Sequence, residues 1–362
     1  MKKKLFFTAY SLSLGGIEKA LVNLLTVLDK EKYDITLVLE KKEGIFQDQL
    51  PKHIHVIEYS VDHSKNVLVR KIKNRLHLIK WKMKHRNKYD FAISFATYSI
   101  PGAHLALNAS FNNALWIHNN YYQLYNGNVR EMKQFFRRIK LKKFKHHVYV
   151  SYDNMNSMLK YFPQYKNRSV VCNNMIDYQT IREKANETIS VEKRGITFVN
   201  VGRQEEHQKR LSRIIDATDR LKREGYQFQV WFVGDGVNYQ KYKEQVKVLG
   251  LDDMIVFFGK QQNPYPYYKL ADAVLLSSKY EGYPVVFIEA MTLNKPIVTT
   301  AVSDYREIEN RYGIVVENNA SAIYSGMKQF LDHGFVISNV FDPQKFNDEM
   351  LNIFENLVDE KK

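Results

Sequence analysis

Short apolar runs alternate with amphipathic stretches along nearly the whole chain, and their periods predict the elements. Lys4 to Ala9 reads as a strand and Ser11 to Gly16 as a glycine turn. Ile17 to Leu28 then keeps Ile17, Leu21, Leu24, Leu25 and Leu28 on a helical period. Strands follow at Asp34–Leu39, Ile54–Ile57, Asp90–Phe95 and Asn113–Ile117, then at His147–Val150 and Ser169–Cys172. Helices are expected over about Asn66–Lys88, Val129–Lys145 and Asp153–Tyr161. The polar, charged stretch from about Tyr178 to Arg194 reads as a linker. Beyond it the same rhythm resumes, with strands at Ile196–Val201, Gln227–Val233, Met254–Phe258, Ala271–Leu276, Pro296–Thr299 and Gly313–Val316. The helices of this half are expected at Leu211–Arg223, Tyr239–Leu249 and Pro284–Met291, and a last one at Gln344–Val358 carries Phe346, Met350, Ile353, Phe354 and Leu357 on one face. Strands alternating with helices predict an α/β chain with parallel sheets. With 362 residues the chain is long enough for two domains, each with its own core.

One helix breaks the amphipathic rule. From Pro284 to Met291 every residue is apolar except Glu289. An all-apolar helix is a buried helix, and a carboxylate on it needs a partner. No basic residue stands at i±3 or i±4, so a pair of ligand hydroxyls or a distant arginine would have to satisfy it. Glu281, eight residues earlier, sits at the mouth of the same helix beside Gly282, where the chain can turn sharply.

Charge changes the picture of the first half. The net charge is +15, and residues 1–178 hold 30 Lys and Arg against 13 Asp and Glu, so an anionic partner is expected there. Much of the excess lies on two predicted helices. In the first, Ile72, Leu76, Ile79 and Met83 form one stripe, while eight cations spread over the rest. Trp81 lies about 180° from Ile72 at roughly 100° per residue, on the basic side. Two readings fit: a solvated face, or a face in a lipid headgroup layer with Trp81 among the lysines. The second helix sets eight more cations over Met132, Phe135, Phe136 and Ile139. The lone cysteine, Cys172, rules out an internal disulfide framework and fits a reducing compartment. No apolar run reaches the roughly 18 residues of a membrane span, and the basic N-terminus is better read as a first strand than as a signal peptide. A cytoplasmic chain is expected, peripheral on the inner face of the cell membrane.

The stretch EGYPVVFIE, followed by AMTLNKPIVTT, resembles the E-x7-E motif of retaining GT-B glycosyltransferases, particularly glycosyltransferase family 4. The resemblance implies the GT-B fold, two Rossmann-like domains facing each other across a cleft. It divides this chain into an acceptor- and membrane-facing domain over 1–178 and a nucleotide-sugar domain over 195–342, with the last helix, 343–362, packing back on the first. It gives Glu281 and the backbone of Gly282, Tyr283, Pro284 and Val285 to the donor sugar, and Glu289 to the ribose hydroxyls. GRQEEHQKRLSRIIDA resembles the family's basic phosphate loop, beginning at Gly202, in which Arg203 and Lys209 would neutralise the nucleotide diphosphate. Arg210 stands where glycine is common, which leaves open which of Lys209 and Arg210 reaches the phosphate. SLGGIEKALVNLL resembles the donor-facing loop with Gly15 and Gly16, and WIHNN places His118 at a strand end, near the donor sugar in relatives. Gly236 closes a second glycine turn, and Gln261 lies where relatives place the nucleotide base.

The implied reaction is retaining transfer of a sugar from a nucleotide-sugar donor, expected to be a UDP-sugar, to a lipid-linked or polysaccharide acceptor in cell-surface glycan synthesis. No metal or other cofactor is expected, because no Asp-x-Asp pair is present. Three other classes stay in view. A nucleotide-sugar-binding module without activity would share the donor motifs, and a nucleic-acid-binding protein would explain the charge but not the buried glutamates. A nicotinamide-dependent oxidoreductase lacks its G-x-G-x-x-G fingerprint.

Overall fold

The computed structural model describes residues 1–13, 15–59 and 61–360. Leu14, inside the predicted first glycine turn, therefore lies outside the described residues. The chain divides into two compact units, one formed by residues 1–175 and 346–362 and the other by residues 176–345.

The first unit begins with β1 (Lys3–Ala9), α1 (Gly16–Val27), β2 (Tyr33–Leu39), β3 (His55–Glu58) and α2 (Val67–His85). It continues with β4 (Phe91–Ser94), α3 (Ile100–Ala109), β5 (Asn113–Ile117), α4 (Tyr121–Leu124) and α5 (Val129–Arg138). β6 (His146–Tyr149), α6 (Tyr152–Leu159) and β7 (Ser169–Val171) complete its run. Seven parallel strands line up in the order β3-β2-β1-β4-β5-β6-β7. The second unit contains α7 (Tyr178–Lys184), β8 (Thr197–Val201), α8 (Ser212–Arg223), β9 (Gln229–Val233), α9 (Tyr239–Val248) and β10 (Ile255–Gly259). It goes on through α10 (Tyr265–Leu270), β11 (Ala273–Leu276), α11 (Val285–Thr292), β12 (Ile297–Thr300), β13 (Gly313–Val316) and α12 (Ala322–His333). Its six parallel strands run β10-β9-β8-β11-β12-β13. Both sheets reverse their order once, between β1 and β4 and between β8 and β11. Such reversals open a crevice at the carboxyl ends of the strands, where ligands of open α/β sheets bind.

Each sheet has a core of its own. In the second unit Phe198, Ile215, Leu221, Phe232, Leu275 and Val298 are buried together; in the first, Phe6, Ala92, Leu115, Ile117, Met132 and Phe136 are. The final helix, α13 (Pro343–Asp359), contributes most of its length to the first unit. Phe354 is fully buried there, with its ring 6.2–6.5 Å from those of Phe7, Tyr33, Phe91 and Trp116. Asn112 donates its side-chain amide to the Leu357 carbonyl at 2.8 Å, and Lys32 meets Glu355 at 2.8 Å.

The structure departs from the sequence reading in several places. Helices α3 and α12 were not foreseen, and residues 178–184 of the stretch read as a linker form α7. The second basic helix is shorter than its periodicity predicts. It stops at Ile139 because Lys140 takes a left-handed conformation, φ 63°, and a single 3-10 turn follows at Leu141–Lys143. The largest correction concerns α2. Trp81 faces inward, 7% exposed, stacked on His85 at 4.2 Å and edge-on to Tyr59 at 5.1 Å. The aliphatic stripe faces out instead. An aromatic face buries a larger, flatter surface against α3 and Tyr59 than the narrow aliphatic ridge could.

Phe354 closes the first unit's core from the far end of the chain. Phe354→Ala is expected to destabilise that unit by about 3–5 kcal/mol, the range for truncating a buried aromatic ring. Urea unfolding followed in a Trp231→Phe background, which leaves only the first unit's tryptophans as the fluorescence probe, measures it; a loss under about 1 kcal/mol would mean that α13 is not part of the core.

Candidate active site

The carboxyl ends of β8 and β11 lie side by side, and the loops leaving them meet. After β8 come Gly202, Arg203 and the segment up to Arg210; after β11 come Ser277 to Pro284, which lead into α11. Glu281 is 7% exposed, and a carboxyl group so buried needs hydrogen-bond donors. Three reach it. Lys209 Nζ lies 2.6 Å from Oε1, the Ser278 hydroxyl donates to Oε1 at 2.7 Å, and Gln208 Nε2 donates to Oε2 at 3.1 Å. Gln208 also donates to the Tyr280 carbonyl and accepts from Arg203 Nη2 at 3.5 Å, so Arg203 stands one side chain behind the pair. The loop beyond is pinned as well: Ser303 donates to the Gly282 carbonyl, and the buried Tyr283 donates to Glu307 at 2.9 Å. Burial raises the Glu307 carboxyl above its ordinary range.

Lys209 and Arg210, between which the sequence does not choose, point apart. Arg210 takes a positive φ of 53° and pairs with Glu206 at 3.3 Å, away from Glu281, while Lys209 turns onto Glu281. The backbone around them is equally constrained. At Gly234, φ 138°, a Cβ would lie 1.9 Å from the Gly202 carbonyl oxygen, and at Gly236 it would lie 2.3 Å from that of Gln204. Side chains at either place would push the β8 loop out of position. Gln261 donates to the Phe258 carbonyl at 2.7 Å, which holds the loop after β10.

Pro284 caps α11 rather than opening its first turn. Along this helix Glu289 is 6% exposed, and its partners are protein hydroxyls: Tyr268 donates to Oε2 at 2.8 Å and Tyr265 to Oε1 at 3.2 Å. Both tyrosines come from α10. Burial, then the facing carboxylate, holds both phenols well above their ordinary pKa. The sequence reading counted i±3 and i±4 neighbours and missed this pair; the tyrosine run Tyr265–Tyr268 was the available signal.

The predicted residues of the first unit follow β1 and β5. Gly15 caps α1 with extended backbone, and a Cβ on it would strike the Glu18 carboxylate, which accepts from Tyr98 at 2.5 Å. Gly16 opens the helix into clear space. His118 follows β5 as expected, yet it is 7% exposed rather than open to a crevice, with its ring 4.4 Å from that of Phe95. Its Nε2 has no partner among the described residues, and burial pulls its pKa down to about 3. Glu40, just past β2, is a further buried carboxylate that sequence reasoning passed over; Ser99 donates to it, and burial raises its pKa. Among the described residues no cluster of His, Cys, Asp and Glu could hold a metal ion.

Residues 181–349 match the family described as Glycosyl transferases group 1. The chain is 25% identical over 343 residues to the N-acetylgalactosamine-N,N'-diacetylbacillosaminyl-diphospho-undecaprenol 4-alpha-N-acetylgalactosaminyltransferase of Campylobacter jejuni, covering 91% of this chain and 90% of that one. Over 108 residues, 28% of this chain and 29% of the relative, it is 32% identical to the lipopolysaccharide 1,6-galactosyltransferase of Escherichia coli. Among solved structures, Anabaena HepE in complex with UDP and glucose superposes with a TM-score of 0.74 at 18% identity, over 98% of this chain and all of that one. Staphylococcus aureus TarM in complex with UDP superposes with a TM-score of 0.77 at 12% identity, over 99% and 100%. The chain is a glycosyltransferase with the GT-B fold, and its residues 181–349 are a group 1 domain. In this glycosyltransferase the matched region contains all of the Glu281 and Glu289 geometry, whereas His118, Gly15 and Gly16 lie outside it.

Two measurements check the site's electrostatics. Tyr268→Phe removes a hydroxyl from buried Glu289 and is expected to cost about 1–3 kcal/mol of stability; a cost near zero in urea unfolding would mean that the hydroxyl is not holding the carboxylate. For His118, the unfolded chain takes up a proton near pH 6.5 while the folded one resists until about pH 3. Stability therefore falls as pH drops through that window. His118→Asn is expected to lose less stability than the wild type between pH 6.5 and 4.5, by on the order of 2 kcal/mol. Parallel pH slopes in thermal unfolding would contradict the burial of a neutral imidazole.

Proposed function

We propose that this glycosyltransferase moves a sugar, with retention of anomeric configuration, from a UDP-sugar to a lipid-linked or growing-polysaccharide acceptor at the inner face of the cell membrane. The observation that carries the donor reading is the Lys209–Glu281 pair at the reversal of the second sheet, backed by Gln208 and Arg203. The Campylobacter relative is named for a diphospho-undecaprenol acceptor and the Escherichia relative for lipopolysaccharide, which supports a lipid-linked or surface-glycan acceptor. HepE and TarM are described with UDP, which supports a uridine donor.

In the reaction the bond between the anomeric carbon and the diphosphate oxygen breaks, and the acceptor oxygen bonds to that carbon as its hydroxyl proton leaves. Negative charge grows on the departing diphosphate. Lys209 and Arg203 supply fixed positive charge there, an electrostatic contribution that needs no reorganisation at the moment of cleavage. A guanidinium can bind phosphate oxygens through two parallel hydrogen bonds, and an ammonium acts as a point charge. Glu281 holds Lys209 before the donor arrives and can accept from the sugar hydroxyls afterwards. Glu289, fixed by its tyrosines, offers carboxylate oxygen to the ribose. These cations take the place of a metal.

Incubation with a panel of UDP-, GDP-, ADP- and CMP-sugars should give turnover with a UDP-sugar, and NMR of the product should show the donor's anomeric configuration. Arg203→Ala and Lys209→Ala are expected to lower kcat as well as kcat/KM, by on the order of 100-fold each for a lost donor to developing charge. Activity should persist in excess EDTA. Binding of UDP-sugar without transfer would reduce the protein to a binding module, and loss of turnover on chelation, restored by magnesium, would replace the cationic account by a metal-based one.

A further inference from the structure

Helix α2 buries the wrong side for an ordinary surface helix. Leu68 is 71% exposed, Ile72 60%, Leu76 55%, Ile79 46% and Met83 78%. These five follow one another at steps of four, four, three and four residues, the spacing of a single helical ridge. At about 100° per residue they fall within roughly 40° of one line, diametrically opposite the buried Trp81 and His85. Soluble chains rarely leave so continuous an aliphatic strip in water, and such patches mark interaction sites.

Both borders of the ridge are cationic. Lys73, Lys80 and Lys84 run along one side, and Lys71, Arg75 and Lys82 along the other; α2 contains no Asp or Glu at all. An aliphatic strip between two rows of cations is the cross-section of a helix lying in the plane of an anionic lipid surface. The charge extends beyond α2. Lys82 and Lys143 lie near enough to Lys140 to depress its pKa, although burial is the larger cause. A second copy of the chain is a poor occupant, because pairing two such ridges would set like-charged rows against each other. No described helix is long and apolar enough to cross a membrane, so the ridge has only an in-plane arrangement open to it.

We infer that α2 is an insertion helix, with Leu68, Ile72, Leu76, Ile79 and Met83 entering the acyl region of an anionic leaflet while the flanking lysines and arginines meet its headgroups. The inference rests on the membrane location proposed above and inverts the orientation expected from the sequence, in which the basic side with Trp81 faced the lipid. Apolar insertion and electrostatic attraction act together, so removing either should release the protein.

The test uses the full chain and vesicles of phosphatidylglycerol and phosphatidylcholine. The wild type should sediment with anionic vesicles and not with pure phosphatidylcholine. Changing Ile72, Leu76 and Met83 together to Ser should weaken partitioning by on the order of 100-fold, since membrane affinity scales with buried apolar area. Lys80→Glu combined with Lys82→Glu and Lys84→Glu should release it comparably. All substituted side chains are solvent-facing or half-exposed, and UDP binding should be unchanged in both variants. In a third arm, Ile72→Cys is labelled with an environment-sensitive fluorophore, the native Cys172 being buried. Its emission should shift to the blue on anionic vesicles and be quenched by brominated acyl chains. Wild-type sedimentation by the triple Ser variant, or a label that stays in water, overturns insertion. So does a lipid-free dimer abolished by the triple Ser variant, which would make the ridge a self-interface. Donor turnover is measured separately with no vesicles present. Its absence would sink the catalytic reading and leave this one standing.

Discussion

A carboxyl group at 7% exposure has to find its hydrogen-bond partners inside the protein, and the geometry of the second unit is arranged around supplying them to Glu281. Its donors come from two chain segments separated by some 70 residues, Gln208 and Lys209 after β8 and Ser278 after β11. Those segments meet only because β8 and β11 are neighbours in a parallel sheet, one on each side of the order reversal. The glycines at 234 and 236 let adjoining loops approach the β8 loop, and Ser303 and Glu307 hold the loop after Glu281 from its far side. One ion pair thus fixes the relative placement of several strand ends. A lysine clamped in this way is positioned before any ligand arrives, which is the condition under which a fixed charge acts most strongly.

The alternation of apolar runs made the strands legible to within a residue or two, since strands covered by helices on both faces are apolar throughout. Asn113–Ile117 and Gly313–Val316 are found with the limits read from the sequence. Helix α3 was not legible, because IPGAHLALNA is apolar nearly all round and has no polar face to set a period. The C-terminal end of α5 was not legible either: Lys140 carries no chemical sign that its backbone turns left-handed. At the site, Glu281, Lys209 and Arg203 could be picked out as charges that needed a reason. Gln208, Ser278 and Ser99 could not, being neutral side chains whose role exists only once the fold brings a carboxylate to them.

Orientation was the harder matter. A helical wheel divides α2 into an aliphatic and a basic side, but it does not say which side the protein keeps. The choice was made by Tyr59 and His85, which offer Trp81 an edge-on and a stacked partner, with His77 stacked on Tyr59 behind them. The tyrosine donors to Glu289 were missed for a related reason. They come from a different helix, and only the fold brings their hydroxyls to the carboxylate.

The return of α13 to the first unit has a consequence for biosynthesis. The ring of Phe354 fills space among Phe7, Tyr33, Phe91 and Trp116, and all four of these aromatics leave the ribosome long before it does. While residues 176–345 are being translated, the emerging first unit has its sheet but an open apolar hollow, with the backbone of Asn173 and the side chain of Asn112 still short of Met350 and Leu357. The second unit, drawn from one continuous segment, has no such wait. The nascent chain is therefore expected to complete its domains in the reverse of their order of synthesis.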